Sequence, residues 1–516
     1  MVKKYDLINN CMGWLCFAIA AVTYMLTIEP TASFWDCPEF ILQGAKLEPG
    51  HPPGNPIFML TARFFITVTG AEISEAAKVV NSMSALLSAA TILLLFWTIT
   101  HLVRRIMVPD GAKEISWRRM TLIMGAGLCG ALAYTWSDTF WFSAVEGEVY
   151  AFSSFCTALV FWLILKWENH VDEPYSDRYL VLIAYIIGVS IAVHLLNLLC
   201  IPAVALVFYY RKWKNTNAKG SLVALGVSFV IVAAILYGLV PGFIKVAQWF
   251  ELLFVNSFGA GYNTGALFYA FLFAAVTLAA VYALYRGSKM AKPLIVLAVM
   301  LSGLTFATSS VLVWFLLIAA LVFAVYYFKR DMRRILTVST LSLFVIFVGY
   351  SSYALLLIRA SAHTPMNQNA PDNVFALSSY LNREQYGQRP LFMGPVFTET
   401  YKLVQDGDGN YYVAVDEQGM PIMQALTMSD AIARDSRGMP IDNGKPGYTK
   451  VVKTDSAQAD EYVEKLWSPD YAYTDGLSMP FTRIYSMQPE HLEGYKSWSL
   501  YSNPDLENIR NLVPAA

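Results

Sequence analysis

The sequence predicts an α-helical polytopic membrane protein with a small external α/β module at its C-terminal end. Three observations carry that prediction. Of 516 residues, 56% are hydrophobic and only 15% charged, with a mean hydropathy of +0.45, whereas a soluble domain carries about 25% charged residues. Apolar runs of membrane-spanning length recur up to Ile358 and then stop. The charges are also unevenly divided: 24 Lys and Arg accompany 18 Asp and Glu up to Ile358, but 13 accompany 20 from Arg359 onward. A soluble multidomain enzyme and a disordered chain are excluded. The net charge of −1 gives no whole-chain attraction to phosphates, so nucleic acid is not an expected partner.

The elements follow in order. A spanning helix needs about 20 mostly apolar residues. The first candidate runs from Cys11 to Ile28, after Lys3 and Lys4. Ala18-Ile19-Ala20 resembles a signal-peptidase site, but the apolar run continues past it, which predicts a retained anchor. Further runs lie near 78–103, 119–136, 148–167, 179–195, 197–210, 220–240, 266–285, 293–308, 310–328 and 335–358. This gives about eleven spans. The stretch 57–69 is too short to be counted. Short loops rich in Lys and Arg face the cytoplasm. With eleven spans and 57–69 not crossing, 20 of the 24 basic residues before Arg359 fall on one side. The expected topology is therefore N-in and C-out. Residues 1–358 form the transmembrane domain, with a long first external loop at 29–77, and residues 359–516 form the external module.

In that module, Asp372-Asn373-Val374 reads as a helix start, Leu391-Phe392-Met393 as a short buried strand and Tyr411 to Val415 as a hairpin strand. Asp406-Gly407-Asp408-Gly409-Asn410 begins like a calcium loop. However, Tyr411 occupies the sixth position, where an EF-hand loop requires Gly, so a hairpin turn is predicted. The six cysteines form no C-x-x-C pair, and none lies in the tail; they read as buried thiols.

Charges at a membrane edge are costly and default to functional candidates. Four clusters fall on the external face. In Phe34-Trp35-Asp36-Cys37-Pro38-Glu39-Phe40, Asp36 and Glu39 share one face if the segment is helical. Two nearby carboxylates can split their pKa values, leaving one as a general base; the alternative is a capped surface helix. Gly50-His51-Pro52-Pro53-Gly54-Asn55-Pro56 is a rigid turn in which His51 either contacts a phosphate or an acceptor, or is a local hydrogen-bonding residue. Glu146 and Glu148 lie at the start of the fourth span, where the helix dipole alone favours acids. His194 and Asn197 sit where two spans meet with almost no loop, and buried polar groups there need partners. Mid-span regions are nearly free of charge, unlike a transporter, which suits an enzyme acting on a lipid-carried substrate at the membrane surface.

The motifs from Glu29 to Phe40, Gly50 to Pro56 and Val145 to Tyr150 resemble those of glycosyltransferase family 117, which is similar to animal transmembrane protein 260 and belongs to the GT-C superfamily. The likeness continues through Val193 to Leu198 and Asn373 to Gly387. It implies a multi-span GT-C enzyme, protein O-mannosyltransferase-like, that uses an acid in the first external loop as base. Asp36 would deprotonate a Ser or Thr hydroxyl, and Glu39 would position it or the acceptor. Topology, rather than a superfamily rule, assigns His51 and Arg63 to the donor phosphate and Glu146, Glu148, His194 and Asn197 to the sugar pocket. Members commonly continue past the position of Trp498, so a shortened member, a fragment or an enzyme needing a partner is expected.

The expected function is transfer of a sugar, mannose by family analogy, from a polyprenyl-phosphate donor to a protein. The setting would be the bacterial cytoplasmic membrane, with the site and C-terminus in the periplasm. The partners would be the donor, an acceptor protein and membrane lipid. No cofactor is expected, and dependence on a divalent metal is left open. A transporter or flippase, or a non-catalytic assembly subunit, remains an alternative.

Overall fold

The computed structural model describes residues 2–109, 115–327, 333–386 and, with gaps, 393–480. The chain forms two compact units, one of residues 1–383 with 450–462, the other of 384–449 with 463–516. The first unit is helical. Its helices are α1 (Val2–Leu26), α2 (Cys37–Lys46), α3 (Pro56–Thr69), α4 (Ala76–Met107), α5 (Trp117–Thr135), α6 (Asp138–Ala144), α7 (Val149–His170) and α8 (Arg178–Ile191). They continue with α9 (Ile201–Lys212), α10 (Ala218–Ala233), α11 (Val240–Leu252), α12 (Thr264–Arg286), α13 (Ala291–Leu301), α14 (Val311–Tyr327), α15 (Arg333–Tyr350), α16 (Ala354–Ser361) and α17 (Val374–Leu381).

Each of the eleven expected runs contains a helix. Among the described residues, seven helical stretches are long and apolar enough to cross a membrane, and up to eight if α5 and α6, bent by 67°, form one span. α8, α13 and α14 are apolar but shorter. So is α3, whose 14 residues reach only about 21 Å against a hydrocarbon core of about 30 Å. The first helix begins at Val2, well before Cys11; its first turns are largely exposed but anchored by Tyr5, which is 3% exposed. Residues Ala218–Ser257 form one continuous stretch of 40 residues, where the sequence marks only 220–240.

Two packed cores position the site. Tyr5, Cys16, Ala20 and Tyr24 of α1 pack on Ala85, Ala89, Ile92 and Phe96 of α4 and on α5. Phe40 of α2, Phe58 and Ala62 of α3, Met83 of α4 and Phe152 of α7 form the second. α8 and α15 cross at glycines: a Cβ on Gly188 would lie 2.3 Å from the Ile346 carbonyl oxygen, and one on Gly349 2.3 Å from the Val189 nitrogen. Such small-residue contacts let helix backbones approach closely without a hydrophobic driving force.

The second unit is built of short antiparallel strands. Leu403–Gln405 pairs with Tyr411–Val413, from Leu403 opposite Val413 to Gln405 opposite Tyr411, as the predicted hairpin requires. Glu399–Tyr401 pairs with Met423–Ala425, and Met393–Pro395 with Ser478–Pro480. Of the expected strand at 391–393, Met393 lies in the strand Met393–Pro395, and 391–392 lie outside the described residues. Residues 406–410, with the calcium-like pattern, and Trp498 lie outside the described residues.

Candidate functional site

The site begins where α1 ends and the chain turns back along the helix ends. Glu29 donates its backbone N–H to Val145 O at 3.1 Å, which fixes the loop between α6 and α7 against the start of the first loop. α2 follows, with Pro38 in its first turn and Asp36 at the N-cap position. Proline suits that position because its missing N–H is one that no intrahelical acceptor would reach. The Asp36 carboxylate makes no capping hydrogen bond and remains 59% exposed. It is therefore open to a partner from solvent.

Glu39 lies in the first turn of α2, and the expected Asp36/Glu39 face is real: both carboxylates meet one imidazole. His51 Nδ1 lies 2.9 Å from Glu39 Oε1, and His51 donates its backbone N–H to the same oxygen at 2.6 Å. The other ring nitrogen, Nε2, faces Asp36 Oδ2 at 3.9 Å. Gln43 Nε2 donates to Glu39 Oε1 at 2.9 Å, and Gln368 Nε2 donates to Oε2 at 3.2 Å. Glu39 is thereby a held carboxylate, whereas Asp36 is a presented one.

The turn carrying His51 is braced from below. Gly54 donates to His51 O at 3.0 Å and adopts φ 75°, a conformation that favours glycine. The Tyr380 hydroxyl donates to Gly50 O at 2.7 Å and reaches His51 O at 3.2 Å. Arg359 Nε donates to Leu47 O at 2.6 Å, and Met366 donates its N–H to Glu48 Oε2 at 3.2 Å. Residues 359–380 thus close the site from more than 300 positions away.

Electrostatics separate the acids. Burial pushes the Glu39 carboxyl up, but the hydrogen bonds and charge of His51 outweigh it and hold it below the usual range. The hydrogen bond to Glu39 raises the His51 pKa, against burial and the Arg383 charge. Glu148 is only 7% exposed. Burial, partly offset by the Val149 N–H and reinforced by the Glu146 and Asp36 charges, pushes its pKa up to about 7. Its Oε2 accepts the Val149 N–H at 3.1 Å, capping α7. Glu146, 5% exposed, is likewise raised by burial, and its Oε2 has no hydrogen-bond partner among the described residues.

The other predicted residues fall differently. His194 Nδ1 accepts the Leu196 N–H at 3.2 Å and its ring rests on Tyr150 at 5.3 Å. Burial, aided by the Arg383 charge, lowers its pKa. Arg383 therefore acts on both His51 and His194. Asn197 is fully buried. It donates to Ser190 Oγ at 2.8 Å and accepts from Thr157 Oγ1 and Cys200 Sγ, both at 3.2 Å, so it ties the α7–α8–α9 junction together. Arg63 donates to Ala45 O at 2.6 Å, closing the end of α2. The structure brings together Asp36, Glu39, His51 and Glu148; Glu146 lies on the same loop as Glu148, and His194 joins through Arg383. Sequence reasoning gave no role to Gln368, Tyr380 or Arg383, although Tyr380 and Arg383 lie in a quoted family motif.

Residues 36–217 match the model of the protein O-mannosyl-transferase TMEM260 N-terminal domain. The chain is 23% identical over 189 residues to a Dictyostelium discoideum protein named protein O-mannosyl-transferase tmem260, covering 36% of this chain and 21% of that protein. It is 24% identical over 175 residues to the Mus musculus protein O-mannosyl-transferase TMEM260, covering 34% of this chain and 22% of that protein. The chain thus spans about a fifth of the length of the curated relatives it matches. No solved structure matches. The matched segment contains Asp36, Glu39, His51, Glu146 and Glu148 and ends before Gln368, Tyr380 and Arg383.

Proposed function

We propose, from the premise that residues 36–217 make this a TMEM260-like chain of the O-mannosyl-transferase family, that it is an inverting GT-C membrane glycosyltransferase. It moves a sugar, mannose by likeness to those relatives, from a polyprenyl-phosphate carrier to a protein Ser or Thr hydroxyl. The reaction is assigned to the external face of a bacterial cytoplasmic membrane.

The observation that carries this reading is the contrast between the two carboxylates. Glu39 is held by three donors on one oxygen, while Asp36 is uncapped and exposed beside the same imidazole. Asp36 takes the acceptor proton. The hydroxyl oxygen attacks the anomeric carbon from the opposite face to the phosphate, and the carbon–oxygen bond to the carrier breaks with its electrons leaving on the phosphate. The configuration inverts. His51 and Arg383 supply positive charge against the departing phosphate, which strengthens in a water-poor site. An apolar pocket of about 610 Å³ lined by Phe243, Ala247, Tyr353, Leu357 and Leu377 supports a lipid donor. Tyr353 at its edge reaches toward Gly54 O at 3.5 Å.

The test is Asp36→Asn in the purified chain, assayed with a polyprenyl-phosphate sugar and an acceptor peptide. A positioned base contributes roughly 10²–10⁴-fold, so transfer falls by at least about 10² while thermal stability is unchanged, because no cap is lost. Full activity in the variant would sink the mechanism.

A further inference from the structure

The same three helices that frame the site, α1, α4 and α7, enclose a second polar cavity at their opposite ends. Its volume is about 340 Å³, and Asn9, Trp97, His101, Arg104, Trp162 and Lys166 are among its lining residues. Along α7 it lies about 25 Å from Glu148, from the 17 positions between Val149 and Lys166 at about 1.5 Å each. It is therefore distinct from the Asp36 site.

Its charges are arranged in two layers. Glu168, just outside the lining, is saturated: Oε1 accepts from Arg105 at 3.0 Å and Oε2 faces His101 Nε2 at 3.1 Å. The lining itself carries one carboxylate, Asp6, against Arg104, Lys166, His101 and His170. Arg104 approaches Asp6 only to 3.9 Å and lies over the Tyr5 ring at 4.6 Å, while the Lys166 ammonium lies over the Trp162 ring at 4.9 Å. Trp162 stacks on Trp97 with centroids 5.7 Å apart, giving a flat aromatic wall. Basic residues at the C-terminal ends of α4 and α7 are favoured by the helix dipole alone. The dipole does not explain a cavity beside them, nor the buried Asn9 Oδ1, an acceptor with no hydrogen-bond partner among the described residues. A buried acceptor without a donor costs free energy, and a ligand hydroxyl or amine would remove that cost.

We infer that this cavity binds a phosphate ester whose polar part carries a hydrogen-bond donor. The phosphate sits between Arg104 and Lys166, and the donor reaches Asn9 Oδ1. Such a group can come from a glycerophospholipid head or from a soluble phosphate ester. Both are probed with the purified chain of residues 1–516 in detergent, by titration of dihexanoylphosphatidylglycerol and of glycerol 3-phosphate, with dihexanoylphosphatidylcholine as the donor-free control. One or both of the first two bind, and the control binds at least about tenfold more weakly. Lys166→Gln and Arg104→Gln each weaken binding about tenfold, as loss of one charge-assisted contact implies. Asn9→Asp, which keeps the size but places a negative charge against the phosphate, weakens it further, while Asp36→Asn leaves it unchanged. Thermal unfolding and gel filtration verify that each variant folds. Binding of neither probe, or binding indifferent to Lys166 and Arg104 in folded variants, overturns the inference.

Discussion

Replacing Glu39 by Gln gives a stability difference whose pH dependence follows from the geometry. Glu39 Oε1 receives the His51 backbone N–H at 2.6 Å, His51 Nδ1 at 2.9 Å and Gln43 Nε2 at 2.9 Å. Oε2 receives Gln368 Nε2 at 3.2 Å. The amide keeps one acceptor oxygen but turns a donor toward Gln368 and removes the charge that strengthens the other bonds. Each charge-assisted bond exceeds a neutral one by about 1 kcal/mol, so losses at the neutral donors total about 2 kcal/mol wherever Glu39 is ionised in the folded chain, pH 5.5 and 8.5 included. The His51 part is different. Its folded pKa is raised and its ordinary value is 6.5, so its contribution is complete below 6.5 and disappears as pH rises through the folded value. Glu39 is lowered from 4.5, so its contribution is present above 4.5 and disappears as pH falls through its folded value. The full pair therefore operates between about pH 4.5 and 6.5. With side chains 24% and 20% exposed, the ion-pair part is on the order of 1 kcal/mol. Thermal unfolding of wild type and Glu39→Gln in the same detergent, at pH 5.5 and pH 8.5, measures it. The gap between them is about 3 kcal/mol at the lower pH and about 2 at the higher. An equal gap at both would refute the His51–Glu39 pairing as an ion pair.

Three further outcomes are expected. Gly50→Ala places a Cβ 2.2 Å from Glu39 Oε1 and 1.9 Å from Gln43 Nε2. It displaces the held carboxylate at a cost of roughly 1–3 kcal/mol, and transfer falls; retained wild-type transfer would show that the turn need not be this tight. Glu148 has its pKa pushed up to about 7 by burial. Its folded form prefers the neutral carboxyl, so the chain loses stability as pH rises from 4.5 through 7. Glu148→Gln removes that loss and gains relative to wild type at pH 8.5, measured by the same unfolding series; a constant difference across pH would contradict the buried, charged-to-neutral assignment. Tyr380→Phe removes the hydroxyl at 2.7 Å from Gly50 O and destabilises by about 1 kcal/mol, with transfer lowered more than donor affinity.

Most helices were legible because spanning segments need continuous apolar runs, and the chain supplies them. The short helix α3 was legible by the same rule, being apolar but too short. The first turns of α1 were not: Tyr5, Asp6, Asn9 and Asn10 look like a polar lead-in, and only the facing ends of α4 and α7 make them part of the helix bundle. At the site, the Asp36/Glu39 spacing and the stiff His51 turn are local and could be read. Their closure could not, since Gln368, Tyr380, Arg359 and Arg383 approach from more than 300 residues away and carry no periodic signal. The bond from Arg63 Nη1 to Ala45 O, which holds the end of α2, was not legible either, since nothing local links the two positions. The enclosure of the Asn197 amide among Ser190, Thr157 and Cys200 was equally illegible, because it needs the folded helix junction.

Three carboxylates within one pocket would repel if all were charged and equally placed. Here the chain gives each a different surrounding. Glu39 receives four donors and stays ionised, Glu148 is buried at the start of α7 and titrates near 7, and Asp36 stands at the mouth with no capping bond. Environments that push neighbouring acids apart are how one site can hold a base, an orienting group and a neutral donor at the same pH. Glu148 in its neutral form can donate a hydrogen bond to a sugar hydroxyl, which an ionised carboxylate cannot do. Deprotonation would replace that donor with a negative charge that burial and the nearby Glu146 and Asp36 carboxylates already disfavour.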